Sequence, residues 1–145
     1  MLVSPLPDPS DRLTRDFWTA ARRSRLVVQR CADCGYLRWP PGPVCPECLR
    51  PGGDWAEIAP AGVLYSYTTY HRSLSAALKA DVPYSVGLIE LDDGPRMYGR
   101  LLDQPDELAV GSRVGGVFEP VTDEVSLLCW RREEQREQQR ERLTP

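Results

Sequence analysis

The sequence lacks any apolar run close to the roughly 20 residues that a membrane-spanning helix needs. Its first residues, Met1 to Pro7, also lack the basic region and apolar core of a signal peptide. We therefore expect a cytoplasmic protein with no membrane partner. In that reducing compartment, the five cysteines indicate metal ligands or free thiols before they indicate disulfides.

The sequence is also poor in catalytic groups. It contains one histidine, His71, and it has no glycine-rich phosphate loop and no nucleophile elbow. The carboxylate pairs Asp92/Asp93 and Asp123/Glu124 fall in predicted turns, where charges at hairpin tips are ordinary. We therefore predict no catalytic residues. His71 is either a structural residue or a residue at the mouth of a cleft, because it follows a predicted strand and begins the longest loop.

Charge is distributed unevenly along the chain. Residues 61–130 carry ten acidic and five basic side chains, which is the opposite of the balance that nucleic-acid surfaces need. Nucleic-acid binding is thus disfavoured as a function. Basic charge concentrates near the N-terminus, which indicates a docking face or a phosphate site; these residues are Arg12, Arg15, Arg22, Arg23, Arg25 and Arg30.

A length of 145 residues predicts one compact domain, or two very small domains that share a surface. Residues 1–25 form a proline-rich arm and an amphipathic helix, capped by Ser10 or Asp11 and running to about Arg23. Its apolar stripe includes Phe17, with Trp18 beside it. These aromatic residues either pack on their own domain or, with Arg22, dock into a partner protein, since Trp and Arg dominate interfaces.

Residues 26–60 are predicted to be a zinc ribbon. Two C-x-x-C knuckles are separated by ten residues, and their cysteines are Cys31, Cys34, Cys45 and Cys48. Four thiolates fill a tetrahedral coordination sphere, so the sequence predicts one structural Zn²⁺ per chain, which replaces a missing core for residues 26–58. Iron bound in the manner of rubredoxin is the alternative. Cys129 lies in a predicted strand and is interpreted as a small buried hydrophobic residue.

Residues 61–130 alternate between apolar and polar side chains in five short strands, with a short helix predicted within Ser73–Ala80. The predicted strands are Gly62–Tyr70, Tyr84–Leu91, Arg96–Leu102, Val114–Val121 and Val125–Trp130. This pattern favours a five-stranded Greek-key barrel of the OB (oligonucleotide/oligosaccharide-binding) type, although periodicity supports a sandwich almost as well. Residues 131–145 form a polar tail, helical or disordered, in which Glu133/Arg136 and Glu137/Arg140 are spaced to pair. The predicted fold class is mainly β.

These motifs together resemble the DUF35 family, in which a rubredoxin-like zinc ribbon precedes an OB-fold. The resemblance covers roughly residues 14–130. It rests on the Phe17-Trp18 helix, on Leu26-Val27-Val28-Gln29-Arg30, on the two knuckles with Arg38-Trp39-Pro40-Pro41 between them, and on Gly62-Val63-Leu64-Tyr65-Ser66-Tyr67-Thr68. The proline-rich arm and the charged tail lie outside the family pattern.

The resemblance implies an accessory subunit of a thiolase-fold enzyme, such as a thiolase or a lipid-transfer-protein-like aldolase of steroid side-chain degradation. In such complexes the partner supplies the catalytic groups, and the accessory chain helps to shape the acyl-CoA channel. We expect two copies of each chain in the complex. The residues expected to contact acyl-CoA are Arg22, Arg23, Arg25, Tyr70, His71 and Arg72. A stand-alone acyl-CoA-binding protein and a nucleic-acid-binding module are the alternatives.

Overall fold

The computed structural model describes residues 6–73, 75–134 and 142. It confirms a mainly β protein with one short helix at its N-terminal end. The elements are α1 (Arg15–Ala21), β1 (Leu26–Arg30), β2 (Leu37–Arg38), β3 (Asp54–Ile58), β4 (Ala61–Tyr70), β5 (Tyr84–Leu91), β6 (Arg96–Leu101), β7 (Arg113–Pro120) and β8 (Ser126–Arg132).

The helix is shorter than the sequence predicts. The Asp11 carboxylate accepts a hydrogen bond from the N–H of Leu13, and the Asp11 carbonyl accepts one from the N–H of Arg15. These bonds form a turn that precedes α1, and Asp11 does not cap the helix itself. The predicted start at Ser10 or Asp11 and end near Arg23 are therefore wrong. Ser24 adopts a left-handed backbone with φ of 56°, which ends the helical path before β1 begins.

A three-stranded antiparallel sheet in the order β2-β1-β3 follows α1. The short strand β2 was not predicted, because two residues are too few to show a periodic pattern. Leu26 and Val28 of β1 are fully buried and belong to the same core as the barrel residues. The prediction that metal replaces a missing core throughout residues 26–58 is therefore wrong at β1, whose apolar side chains are buried in the core shared with the barrel.

The remaining strands close into a barrel in the order β4-β5-β6-β8-β7. This order is the Greek-key arrangement of an OB-fold, and closure of the barrel removes the sandwich alternative. Four of the five strand pairs that close the barrel are antiparallel, and the fifth joins β6 to β8 in parallel at Leu101 and Trp130. In the described part of the connection between β4 and β5, only Ala76–Leu78 form a helical turn, of the 3-10 type, which is shorter than the predicted helix.

Trp130 fills the centre of the barrel. Its indole lies over Gly99, where an added Cβ would come within 2.5 Å of the ring. Glycine at position 99 is thus required by close approach of the tryptophan, rather than by its backbone angles. Phe17 of α1 and Leu26 of β1 join the same continuous core, so the helix, the three-stranded sheet and the barrel pack as one unit.

Two sequence predictions concern residues that the structure does not describe. Residues 1–5 of the proline-rich arm and the predicted pairs Glu133/Arg136 and Glu137/Arg140 of the tail lie wholly or partly outside the described ranges. Strand β8 continues to Arg132, so the tail begins later than the predicted boundary at residue 131. Within the described ranges, no helix has both the length and the apolar character that crossing a bilayer requires.

Candidate metal centre and partner-facing surface

Each C-x-x-C knuckle lies at the tip of its own hairpin. The first is carried between β1 and β2, where Gly35 follows Cys34 with a φ of 75°, in the left-handed region that glycine adopts without a steric penalty. The second knuckle is flanked by a stem in which Gly52 N–H donates to Pro43 at 3.0 Å and Cys45 N–H donates to Arg50 at 2.9 Å. Turns held in this way aim both sulfurs of each knuckle in one direction.

The four predicted ligand atoms meet at one point. The sulfurs of Cys31, Cys34, Cys45 and Cys48 all lie within 4.8 Å of one another. Across the knuckles, Cys31 Sγ lies 3.6 Å from Cys48 Sγ, and Cys34 Sγ lies 3.7 Å from Cys45 Sγ. A tetrahedron with metal–sulfur bonds of about 2.3 Å has edges of about 3.8 Å, so these spacings fit a tetrathiolate metal centre.

The backbone around the first knuckle favours a thiolate. The N–H groups of Cys34 and Asp33 point at the Cys31 sulfur and lower the pKa of that thiol to about 6. At Cys48 the N–H of Arg50 lowers the pKa, but burial and the neighbouring cysteine sulfurs outweigh it and raise the pKa to about 12. A divalent cation between the sulfurs removes this mutual repulsion, and the donor set therefore fits a bound metal ion.

Cys129 is separate from this centre. It lies buried on β8, with its sulfur 3.8 Å from a carboxylate oxygen of Glu119. Burial, together with the negative charge of Glu119, raises the pKa of the Cys129 thiol to about 12. A thiol in that state is neutral and packs as an apolar group, in agreement with the sequence interpretation.

The three residues predicted to dock into a partner differ in how far the structure exposes them. Phe17 is only 3% exposed and packs against Trp39, with ring centroids 4.4 Å apart, so its ring belongs to the chain's own core. Trp18 is half-buried and meets Phe17 edge to face, and Arg22 is exposed just beyond the end of α1. The docking prediction is thus wrong for Phe17, whose side chain has no free surface, and it stays a prediction for Trp18 and Arg22.

The residues predicted to contact acyl-CoA lie in two parts of the fold. Arg22, Arg23 and Arg25 are exposed between α1 and β1, and Arg25 pairs with Glu57 of β3. Tyr70 ends β4 and stacks on Tyr84 of β5 at 5.0 Å, followed by the exposed side chains of His71 and Arg72. Helix α1 packs against β1 and β8, and β8 does not neighbour β4 in the barrel. The proposed set stays a prediction.

Sequence reasoning missed an aromatic surface on the outside of β4, β5 and β6, here called the tyrosine face. It consists of Tyr65, Tyr70, Tyr84, Arg96, Tyr98 and Arg100. Tyr98 is 73% exposed, the Arg96 guanidinium lies 3.7 Å from the Tyr65 ring centroid, and Arg100 lies 5.4 Å from that of Tyr84. The alternation of Arg96, Tyr98 and Arg100 along β6 was the available signal, because every second residue of a strand shares a face.

An apolar groove of about 440 Å³ adjoins the tyrosine face. Its walls come from α1, the loop after β2, and strands β6 and β8, and they include Trp18, Trp39, Met97, Tyr98, Leu127 and Leu128. Asp81, Arg100 and Glu119 supply the charged groups that line the same groove. The volume is within the range of about 300–1,000 Å³ that small-molecule sites occupy, so this groove is a candidate binding site.

Comparison with known proteins identifies both parts of the chain. Residues 18–52 match the family model described as "ChsH2, rubredoxin-like zinc ribbon domain". Residues 55–119 match the model described as "ChsH2, C-terminal OB-fold domain". The first match covers the two cysteine-bearing hairpins with β1 and β2, and the second covers most of β3 and the barrel strands β4 to β7.

Among curated relatives, a probable enoyl-CoA hydratase alpha subunit of Thermomonospora curvata is 41% identical over 110 residues. That match covers 74% of this chain but only 34% of the relative, so the chain spans about a third of the relative's length. A DUF35 domain-containing scaffold protein of Methanothermobacter thermautotrophicus is 30% identical over 105 residues, covering 71% of this chain and 78% of the relative.

A solved structure titled "Ltp2-ChsH2(DUF35) aldolase" contains a chain that is similar in three dimensions. The superposition has a TM-score of 0.77 with 35% identity, and it covers 87% of this chain and 98% of the other. Sequence and structure agree on the same two-part architecture. The chain is therefore a member of the DUF35 family, with a rubredoxin-like ribbon of four clustered cysteines joined to an OB-fold barrel.

Proposed function

We propose that this chain is an accessory subunit of a thiolase-fold enzyme that acts on acyl-CoA thioesters in lipid or steroid side-chain catabolism. It stabilises the partner and helps to shape the acyl-CoA channel, and the partner supplies the catalytic groups. The observation that supports this most strongly is that nearly all of one chain of an Ltp2-ChsH2 aldolase superimposes on this chain. The name of the hydratase alpha subunit points to the same kind of chemistry, on CoA thioesters in enzymes of more than one subunit.

The tyrosine face supports a protein partner. It places tyrosine and arginine, two of the residue types that dominate binding energy at interfaces, on one side of three neighbouring strands. Both arginines are already oriented, because Arg96 pairs with Glu90 at 2.9 Å and Arg100 pairs with Asp81 at 3.2 Å. Preorganised side chains lose little entropy when a partner binds. In our proposal the partner covers Tyr98, and Trp18 and Arg22 extend the contact.

The metal is proposed to be one structural Zn²⁺ per chain. Four sulfur ligands leave no open position for water or substrate, so the ion supports the two hairpins and takes no part in turnover. Metal analysis of the purified protein tests this proposal. Zinc in a colourless protein is expected, whereas a coloured iron–sulfur protein would favour the rubredoxin-like alternative.

The acyl-CoA thioester is proposed to lie against this subunit at the shared site. Arg22, Arg23 and Arg72 are exposed cations of a kind that holds CoA phosphates, since guanidinium groups match phosphate oxygens in a bidentate manner. Arg25 is already paired with Glu57, so it contributes only if that exposed pair opens. Tyr70 and His71 complete the proposed contact set.

Co-expression with the thiolase-like protein encoded nearest to this chain tests the proposal. We expect a heterocomplex by size-exclusion mass, with two copies of each chain, with zinc in the same peak, and with acyl-CoA turnover only when both chains are present. Tyr98→Ser is expected to weaken the complex. Val110→Ser, at a residue that is 63% exposed and does not belong to the tyrosine face, is the control.

A stand-alone acyl-CoA-binding or acyl-CoA-processing protein is the alternative outcome. It requires a monomer that ignores the partner, and binding or turnover by the purified chain that is lost in His71→Ala. If His71→Ala folds and supports the partner's activity as well as wild type, His71 has no role in the reaction. Steep salt-dependent affinity for single-stranded DNA would instead revive the nucleic-acid alternative.

A further inference from the structure

The metal centre needs two separate hairpins to be held in a fixed relation. The β1–β2 hairpin presents Cys31 and Cys34, and the second hairpin, whose stem pairs Val44 with Pro51, presents Cys45 and Cys48. Each hairpin fixes only its own two sulfurs. Something other than the ion must bring the hairpins together if the site is to be formed before the metal binds.

The side chain of Arg38 makes this connection. It is 5% exposed, and its Nε donates to Gln29 Oε1 at 2.7 Å across the β1–β2 pair. Its Nη2 donates to the carbonyl of Gly42 at 2.9 Å and to the carbonyl of Gly52 at 3.0 Å. Gln29 Oε1 also accepts the N–H of Gly42 at 2.8 Å. Gly42 and Gly52 stand at the two ends of the second hairpin, so both its strands are tied to the first.

The packing around this cluster is tight. A Cβ added to Gly53 would lie 2.7 Å from the carbonyl oxygen of Arg30 and 3.3 Å from Arg38 Nη2. The chain that leaves the second hairpin therefore passes directly against the guanidinium. The partners that Arg38 has are neutral oxygens, and its Nη1 is buried without a hydrogen bond among the described residues. Burial of a cation with only neutral partners costs free energy. This cost indicates that the position requires a planar guanidinium group, whose N–H groups donate in several fixed directions.

We propose that Arg38, seated by Gln29, is a positioning residue for the metal centre. Its guanidinium joins the stems of the two hairpins and sets the register in which four sulfurs surround one ion. The inference concerns retention of the metal and does not depend on the identity of any partner. Residues that orient metal ligands from outside the coordination sphere change metal affinity strongly, although they never touch the ion.

The test measures zinc release from the purified 145-residue chain into an excess of a chromogenic zinc chelator, followed by the absorbance of the zinc–chelator complex. We expect Arg38→Met to release zinc about 10-fold to 100-fold faster than wild type, because loss of a residue that orients metal ligands typically lowers metal affinity by that factor and a weaker site releases its ion faster. Arg38→Lys should also release zinc faster than wild type, because a single ammonium group cannot bridge Gln29, Gly42 and Gly52. Arg30→Met is the matched control, since Arg30 is exposed on the same hairpin, and it should stay within about twofold of wild type.

A wild-type release rate in Arg38→Met overturns the proposal. Full recovery in Arg38→Lys also overturns it, because charge alone would then suffice. The absorption spectrum of Co²⁺-loaded protein provides a second readout, in which a shifted ligand-field band in Arg38→Met shows that the tetrahedron is distorted.

If Arg38→Met fails to fold, the test uses a double-mutant cycle instead. The zinc release rates of Gln29→Met, Arg38→Lys and the double variant are then compared with that of wild type. Gln29 and Arg38 act as one unit in the proposal, so the double variant should release zinc no faster than the faster single variant. Multiplication of the two single effects would show that the residues act independently and would overturn the pairing.

Discussion

At the scale of single residues, the chain contains two kinds of cysteine that differ in surroundings. Four of them face one another across two hairpins, whereas Cys129 is buried in the barrel wall beside Glu119. The local backbone explains the difference, since N–H groups point at the Cys31 sulfur, and Cys129 sits in a strand whose N–H groups serve the sheet. Only the first kind has its sulfurs clustered so that one metal ion can bind all four as thiolates.

Cys45→Ser is expected to remove metal from the protein. Cys45 is fully buried, and a hydroxyl replaces a thiolate poorly at a site of this type. Metal content, measured on the purified protein, should fall from about one ion per chain to a trace, with a lower melting temperature. Cys129→Ser is the matched control and should retain full metal content. Equal loss in both variants would contradict the assignment of the four ligands.

At the scale of elements, an ion pair ties the turn after β5 to the start of β7. Arg113 Nη1 donates to Asp92 Oδ1 at 2.6 Å, and Arg113 Nη2 donates to Asp92 Oδ2 at 2.7 Å. The sequence interpretation placed Asp92 at a hairpin tip as an ordinary turn charge. The structure shows instead that it holds two barrel strands, β5 and β7, that lie on either side of β4.

Asp92→Asn is expected to lower the free energy of unfolding at pH 7 by less than about 1 kcal/mol, because both side chains are partly exposed to solvent. The hydrogen bonds from Arg113 lower the pKa of Asp92 below 3.8, so the contribution is complete above pH 3.8 and is lost as pH falls through the folded-state pKa. Urea unfolding of wild type and variant at several pH values measures this. Asp93→Asn, in the same turn, is the control, and a difference that persists at the lowest pH would contradict the assignment.

Most strands could be predicted because their side chains alternate. The predicted range Tyr84–Leu91 is the observed β5, and the other four barrel strands differ from prediction by one or two residues at their ends. The four clustered cysteines could also be predicted, because the C-x-x-C spacing itself identifies them. Elements that depend on distant contacts were missed: β2 is only two residues long, and the role of Arg38 depends on carbonyls at Gly42 and Gly52 that no local pattern reveals.

The helix and the tyrosine face are two further cases in which the local sequence could not reveal the contacts that a segment makes. An apolar stripe cannot say whether it meets its own core or a partner, and Phe17 turned out to pack against Trp39 of the ribbon loop. Tyr98 and Arg100 come together with Tyr84 only because β5 and β6 pair in one particular register. Surfaces assembled from three strands are therefore a property of the fold more than of any single segment.

At the scale of the whole molecule, one apolar core joins parts that the sequence separates. Phe17, Leu26 and Trp130 belong to the same cluster, although α1, β1 and β8 are far apart along the chain. The ribbon sheet is therefore not an independent domain at its base. Among the described residues, the two cysteine-bearing tips extend beyond this shared core, and in our proposal the metal and the contacts of Arg38 hold them.

Leu26→Ala is expected to destabilise the entire protein by about 2–5 kcal/mol, because Leu26 is fully buried in the shared core. Far-UV circular dichroism and tryptophan fluorescence should report a single unfolding transition that shifts as one. Leu49→Ala, at a leucine that is 75% exposed, is the control and should change stability little. Two separate transitions, of which the variant moves only one, would show that the ribbon and the barrel unfold independently.

Because Cys129 is buried apart from the other four cysteines, the number of reactive thiols reports whether the protein holds metal. Thiol reagents need contact with the sulfur atom, and Cys129 is buried in the barrel wall, so its thiol does not react while the barrel is intact. Chelation should therefore make the four thiols at the hairpin tips available in a thiol titration, and the fifth should react only when the barrel opens in denaturant. One series of thiol titrations thus reports both the fraction of chains that hold metal and the fraction of chains that are folded.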